Sequence, residues 1–189
     1  MSNLPTPSQT VGPFFHLGMD QLLNNNLAIT GVAGERITVR GRVLDGDGEG
    51  VVDAVLEIWQ ADSDGKYFHG HDAKGVAPAS SFHGFGRINS NADGAFSFTT
   101  IKPGRVKEAG KGEQAPHIDV TIFMRGLLKQ LFARVYFPDD PANKTDATLN
   151  AIPAERRATL ILKPVAGARD LFDWDVILQG EGETAFFDW

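Results

Sequence analysis

From Arg36 onward the chain alternates. Ile37, Val39 and Val43 are separated by polar residues or glycine, and in the segment from His117 to Arg125 the residues Ile118, Val120, Ile122 and Met124 all fall on one side. A period of two sends successive side chains to opposite faces, so these segments are strands with one buried face. Turn chemistry punctuates them. Asp45-Gly46-Asp47-Gly48 separates two apolar strands, and Asn91-Ala92-Asp93-Gly94 predicts a hairpin between strands near Gly84–Asn89 and Ala95–Thr99. Val51 to Trp59 is apolar on both faces and reads as a central strand. Lys129–Phe137, Ala158–Lys163 and Phe172–Leu178 complete the set, with one helical turn expected after Pro153. Many short strands, Asx/Gly turns and little helix signal predict an all-β fold, an antiparallel β-sandwich with long loops.

The first stretch, residues 1–34, reads as an irregular segment ahead of a sandwich domain at 35–189. Pro5, Pro7, Gly12 and Pro13 oppose regular structure at its start, yet Phe14, Phe15 and Leu17 need a surface to lie on. No apolar run approaches the ~20 residues of a spanning helix and no leader pattern opens the chain, so a cytoplasmic protein is the expectation. The net charge of −6 and the lack of a basic cluster exclude a nucleic-acid partner. With no cysteine, disulfides, zinc thiolates and thiol nucleophiles are excluded too.

The remaining chemistry rests on few side chains. Tyr67 ends a strand-turn unit, and His117 and Asp119 share one face of a strand. A phenol, an imidazole and a carboxylate can bind a hard oxidised metal, but His-x-Asp on a strand is more often a hydrogen-bonded structural pair. His69-Gly70-His71 reads as solvent-exposed loop, within the long segment from Tyr67 to Phe82. Arg125 lies at even spacing from His117 and Asp119, and either projects into a cleft to hold a carboxylate or pairs with a nearby acid. Arg134, between Phe132 and Tyr136, reads as structural. No serine sits in a nucleophile elbow, no glycine pair forms a phosphate loop, and Asp45, Asp47, Asp62 and Asp64 are turn residues rather than a calcium loop.

The block from Val52 to Tyr67, VDAVLEIWQADSDGKY, is similar to the core signature of the intradiol ring-cleavage dioxygenases. So are Gly84-Phe85-Gly86-Arg87, Asp93-Gly94, Thr100-Ile101-Lys102-Pro103-Gly104 and Pro116-His117-Ile118. The opening TPSQTVGPF, from Thr6, and the close QGEGETAFFD, from Gln179, resemble the protocatechuate 3,4-dioxygenase branch.

The resemblance implies the intradiol type of sandwich and a non-haem Fe(III) held by two Tyr and two His in the family's catalytic chain. Tyr67 matches the first Tyr and His117 the first His. Asp119 stands where the second His belongs, and the second Tyr, expected soon after Gly104, has no counterpart. The implied role is therefore that of an α subunit, whose Fe(III) is held by the partner β subunit and whose own Tyr67, His117 and Asp119 are vestigial ligand positions. Thr10, Gly12, Pro13 and Arg125 would reach the partner's cavity, where protocatechuate and O2 give 3-carboxy-cis,cis-muconate in the β-ketoadipate route. Phe14 stands where α chains can carry Tyr, which removes a hydroxyl there. The expected assembly is a higher hetero-oligomer of αβ pairs. Two other readings stay open at this point: a self-sufficient metal-dependent intradiol dioxygenase, and a non-enzymatic β-sandwich interaction module.

Overall fold

The computed structural model of the chain describes residues 5–68, 82–108, 112–138 and 140–188. Its first sheet is built on β1 (Arg36–Leu44), with β4 (Ala95–Ile101) antiparallel on one side. On the other side β10 (Leu171–Asp173) and β11 (Val176–Ile177) run parallel to it, and β9 (Lys163–Pro164) pairs with β10. The second sheet is antiparallel throughout, in the order β3 (Phe85–Asn89), β2 (Val55–Trp59), β7 (His117–Phe123) and β8 (Leu131–Tyr136). A small hairpin, β5 (Val106–Glu108) with β6 (Gly112–Gln114), stands apart.

The two large sheets share one core. Ile37, Val39, Val43, Phe96 and Phe98 of the first meet Leu56, Ile58, Ile88, Ile118, Val120 and Ile122 of the second. The period-two reading of β1 and β7 is thus observed, and β2 is central as expected. The alternation leaves the outer face of the second sheet to polar and aromatic side chains, among them Glu57, Trp59, Arg87, His117, Asp119 and Arg134.

One turn recurs three times, as Asp45-Gly-Asp-Gly-Glu, Asp62-Ser-Asp-Gly-Lys and Asn91-Ala-Asp-Gly-Ala. In each, the first side chain accepts the backbone N–H groups two and four residues on, all at 2.9 Å. The fourth residue is Gly48, Gly65 or Gly94, at φ of 81°, 77° and 74°, which other residues adopt only with strain. The aspartates are turn residues, as read.

Several expectations are corrected. Asn91–Gly94 is no hairpin: β3 pairs with β2 and β4 with β1, so this turn carries the chain from one sheet to the other. The Asp45–Gly48 turn does the same between β1 and β2. The first stretch is not wholly irregular, because α1 (Pro13–Met19) and a 3-10 turn at Asp20–Leu22 form within it. Proline at a helix start needs no partner for its missing N–H, so Pro13 opens α1 rather than blocking it. The turn after Pro153 extends as a 3-10 segment over Ala154–Leu160, displacing the first half of the strand expected at 158–163. Near the other end of the chain, Phe186 and Phe187 pack against its two apolar cores.

Buried Asp146 joins the start of β7 to its surroundings. It caps α2 (Ala147–Ala151) by accepting Leu149 N–H at 2.8 Å and also accepts the Tyr136 hydroxyl at 3.2 Å. Its other oxygen accepts Ala115 N–H at 2.8 Å. Burial and the Asp146 charge push the Tyr136 phenol well above its ordinary pKa, so it stays a donor. Asp146→Ala strands three donors, two of them backbone, and should destabilise the fold by about 3–5 kcal/mol, whereas Tyr136→Phe should cost about 1 kcal/mol. Urea unfolding measures both, and an alanine variant as stable as the parent would show that these bonds carry no weight.

Candidate functional site

Two clusters form at opposite ends of β7. The first is the metal-like one. The His117 ring is fully buried. Its Nδ1 lies 2.7 Å from the Ala115 carbonyl, which can only accept, so Nδ1 carries the proton and Nε2 is the acceptor. The Tyr67 hydroxyl, 3.0 Å from Nε2, is then the donor. Burial first, and then the Arg134 charge, hold the His117 pKa below its ordinary value, so the ring stays neutral. Tyr67 is fixed by stacking on Trp59, with ring centroids 5.8 Å apart and planes at 9°.

Asp119 takes a different partner. It stands opposite Arg134 in the β7–β8 register, and the guanidinium grips both carboxylate oxygens, at 2.7 Å and 3.3 Å. Arg134 also donates to Gln114 at 3.0 Å. Asp119 lies 4.0 Å from His117 Nε2, too far for a hydrogen bond. Of the alternatives for this cluster, Tyr67 to His117 is the bond that forms, and Asp119 belongs to Arg134.

These residues do not fit a ferric ion. The imidazole lone pair faces a phenol hydroxyl, the carboxylate is taken bidentately, and the half-buried guanidinium already supplies a positive charge. A trivalent cation beside it would be repelled in a site with little water to screen the charges. Among the described residues no three His, Asp or Glu side chains converge as a metal site. His69 and His71 lie outside the described residues.

The second cluster gathers Thr10 and Arg125. Thr10 Oγ accepts Gly126 N–H at 2.9 Å, and its hydroxyl makes a long contact of 3.5 Å with the Met124 carbonyl. The turn that presents Arg125 is therefore pinned to the N-terminal segment. Gly12, at φ 72°, turns the chain into Pro13 at the start of α1. Phe15, two residues on, packs its ring 5.3 Å from that of Phe123. Arg125 itself is exposed, with Nε 3.2 Å from Asp53 Oδ2.

The structure thus brings Thr10 and Arg125 together but separates Arg125 from His117 and Asp119, which their shared strand parity had grouped on one face. Asp119 and Arg125 are six residues apart along an extended strand, about 20 Å. Three contributors were not singled out from sequence: Asp53, Asp146, and Arg134 as the partner of Asp119. The signal for Asp53 and Arg134 lies in strand register, since the β2–β7 register, extended two pairs beyond Val55 and Phe123, sets Asp53 against Arg125.

The N-terminal segment also carries most of the exposed large apolar side chains among the described residues. No residue of α1 is buried. Phe14 is 78% exposed, Leu17 59% and Leu22 56%, and the exposed Val11 and Leu128 line one shallow cavity with Phe123 and Met124. Among the described residues no helix is long and apolar enough to cross a membrane.

Comparison with known proteins agrees with this geometry. Residues 12–180 match the family model described as dioxygenase. The chain is 42% identical to the protocatechuate 3,4-dioxygenase alpha chain of Burkholderia cepacia over 97% of its own length and 96% of that chain. It is 30% identical to the beta chain from the same organism, over 94% of this chain and 77% of that one. Among solved structures, the dioxygenase domain of a dioxygenase–carbohydrate-binding fusion from Streptomyces sp. SirexAA-E superposes with a TM-score of 0.63 at 26% identity, covering 86% of this chain and 89% of that one. An alternating sandwich, a His-Ile-Asp strand and likeness to both chain types over nearly all of this chain lead to one conclusion: the chain belongs to the dioxygenase family that includes the protocatechuate 3,4-dioxygenase alpha chains.

Proposed function

We propose that this chain is the α subunit of a protocatechuate 3,4-dioxygenase. It completes the active site of a β subunit that holds the Fe(III), and the pair cleaves protocatechuate with O2 between its two hydroxyl-bearing carbons to 3-carboxy-cis,cis-muconate. The observation that carries the reading is the Asp119–Arg134 pair. It closes the position where a catalytic chain would need a ligand, while the chain keeps the family fold around it. The same pair weighs against a self-sufficient metalloenzyme.

The iron of the β subunit supplies the oxygen chemistry. What this chain supplies is a wall. Thr10 holds the Met124–Gly126 turn, and Arg125 offers a guanidinium that can bind the carboxylate of protocatechuate through paired hydrogen bonds. Gly12 and Pro13 set the path of the backbone into α1, so residues 1–34 act as the arm that reaches the partner. Phe14, Leu17 and Leu22 supply apolar area for that contact, since solvent-facing side chains of this size in one segment are the mark of an interface. Cytoplasmic residence and assembly of αβ pairs into a larger oligomer belong to the same reading.

Two measurements test it. Purified alone, the chain should hold no stoichiometric iron and show no visible ferric-tyrosinate band, whereas co-expression with a β subunit should give one iron per pair and the colour. Iron and colour in the lone chain would sink the reading. Phe14→Asp should leave the fold of the chain intact, because the side chain is exposed, and weaken association with the β subunit about 30-fold or more, since it removes a buried ring and puts a charge in an apolar contact. Analytical ultracentrifugation reads the change, and unaltered association would show that α1 is not the contact.

A further inference from the structure

The Arg125 cluster contains a carboxylate with no evident structural reason to be there. Asp53 is buried, with 8% of its surface exposed. Its Oδ2 lies 3.2 Å from Arg125 Nε, but the N–H does not point along that line, and the oxygen has no aligned hydrogen bond. A buried acceptor in this condition is unfavourable, and buried charges are ordinarily paired and hydrogen-bonded. The fold nevertheless holds Asp53 firmly. Ser90 Oγ donates to Val51 O at 2.7 Å and accepts Ala54 N–H at 3.0 Å, which clamps the turn on both sides of Asp53. Ser90 N–H also donates to Ala54 O at 2.9 Å, and Val51 N–H to Val43 O at 2.9 Å.

The arginine is in the opposite state. Its side chain is 58% exposed, and among the described residues its contact is the one at Nε. The terminal Nη1 and Nη2 groups make no hydrogen bond to the described residues. A fixed buried anion therefore meets an exposed cation by charge, on the side of the guanidinium away from its free fork.

We propose that Asp53 is the positioning residue for Arg125. Its carboxylate tethers the Nε side, restricts the rotamers of a long side chain, and leaves the fork of Nη1 and Nη2 aimed at an anionic group held outside this chain. The ligand class is a carboxylate-bearing catechol, and this step rests on the reading that Arg125 borders the partner's cavity. Pre-setting a planar fork is how an arginine gains affinity for a carboxylate without new contacts.

The test uses the αβ holoenzyme with Arg125→Gln, Asp53→Asn, Asp53→Glu and the double Asp53→Asn/Arg125→Gln. KM is measured for protocatechuate, and affinity for catechol, the same diol without the carboxylate, is read from the visible absorption of the iron. Arg125→Gln should raise KM for protocatechuate about 10-fold or more and leave catechol affinity unchanged. Asp53→Asn should raise the same KM about 3- to 10-fold with kcat little altered, and the double variant should be no worse than Arg125→Gln alone. Asp53→Glu keeps the charge but moves it by one methylene. It gives a second reading independent of whether the Asn variant assembles, and should raise KM for protocatechuate alone, by less. If Arg125→Gln shows the carboxylate-selective loss and both Asp53 variants do not, the positioning role is overturned while the reading of Arg125 stands. If Arg125→Gln itself shows no selectivity, that reading fails first. Equal losses for both ligands in the Asp53 variants would assign Asp53 to folding and overturn the proposal.

Discussion

The antiparallel register of β2 against β7 fixes both clusters. Val55 stands opposite Phe123 and Trp59 opposite Asp119, so the same pairing sets Asp53 against Arg125 at one end and brings Trp59, with Tyr67 stacked on it, beside Asp119 at the other. A slip of one residue would turn Ile118, Val120 and Ile122 out of the core and His117 and Asp119 into it. The buried apolar row is what forbids that slip. The outer-face chemistry is held in place by a hydrophobic constraint on the inner face.

The His117 end then shows how a ligand-like constellation can be satisfied with no ion. A buried imidazole, a phenol and a carboxylate are expensive to leave unpartnered. Here each polar function has an internal partner. Ala115 O fixes the tautomer, Tyr67 fills the lone pair of Nε2, and Arg134 neutralises Asp119. Ala115 is itself held through its N–H by Asp146, so the orientation of His117 traces back to a helix cap in another part of the chain. Glu57 and Arg87, opposite each other on β2 and β3, repeat the cross-strand pairing one row away, with Arg87 Nε and Nη2 at 2.9 Å and 2.6 Å from one carboxylate oxygen. The outer face is a network of opposed charges rather than an open coordination site.

How much of this was legible in the sequence depends on whether a feature is local. The alternation of Ile118, Val120 and Ile122 and the Asx–Gly turns are local, because backbone periodicity and side-chain-to-backbone bonds within five residues decide them. The departure at Asp119 was legible against the family pattern. The allocation of β3 and β4 to different sheets was not, since the same Asn91–Gly94 turn can close a hairpin or carry the chain between sheets. Arg134 read as structural, but its partner was hidden until β7 and β8 were in register. Asp53 reads from sequence as one polar residue inside the strand expected at Val51–Trp59, and only its place opposite Arg125 gives it meaning.

The chain carries a net charge of −6, so a cation able to meet an anionic group at its edge works against the mean field of the chain. Arg40, Arg87 and Arg134 are each spent on an acid at hydrogen-bond distance. Arg125 is held by charge alone, at its inner nitrogen, and stays mostly in solvent. An arginine needed only to neutralise Asp53 would gain more by turning its fork inward, where two aligned bonds are stronger than one oblique contact. The Thr10–Gly126 contact and the clamped Asp53 turn hold both partners of the pair, and the exposed guanidinium leaves Nη1 and Nη2 without a hydrogen bond to the described residues. Under the α-subunit reading proposed above, the cation and the apolar surface lie together because both meet the partner chain.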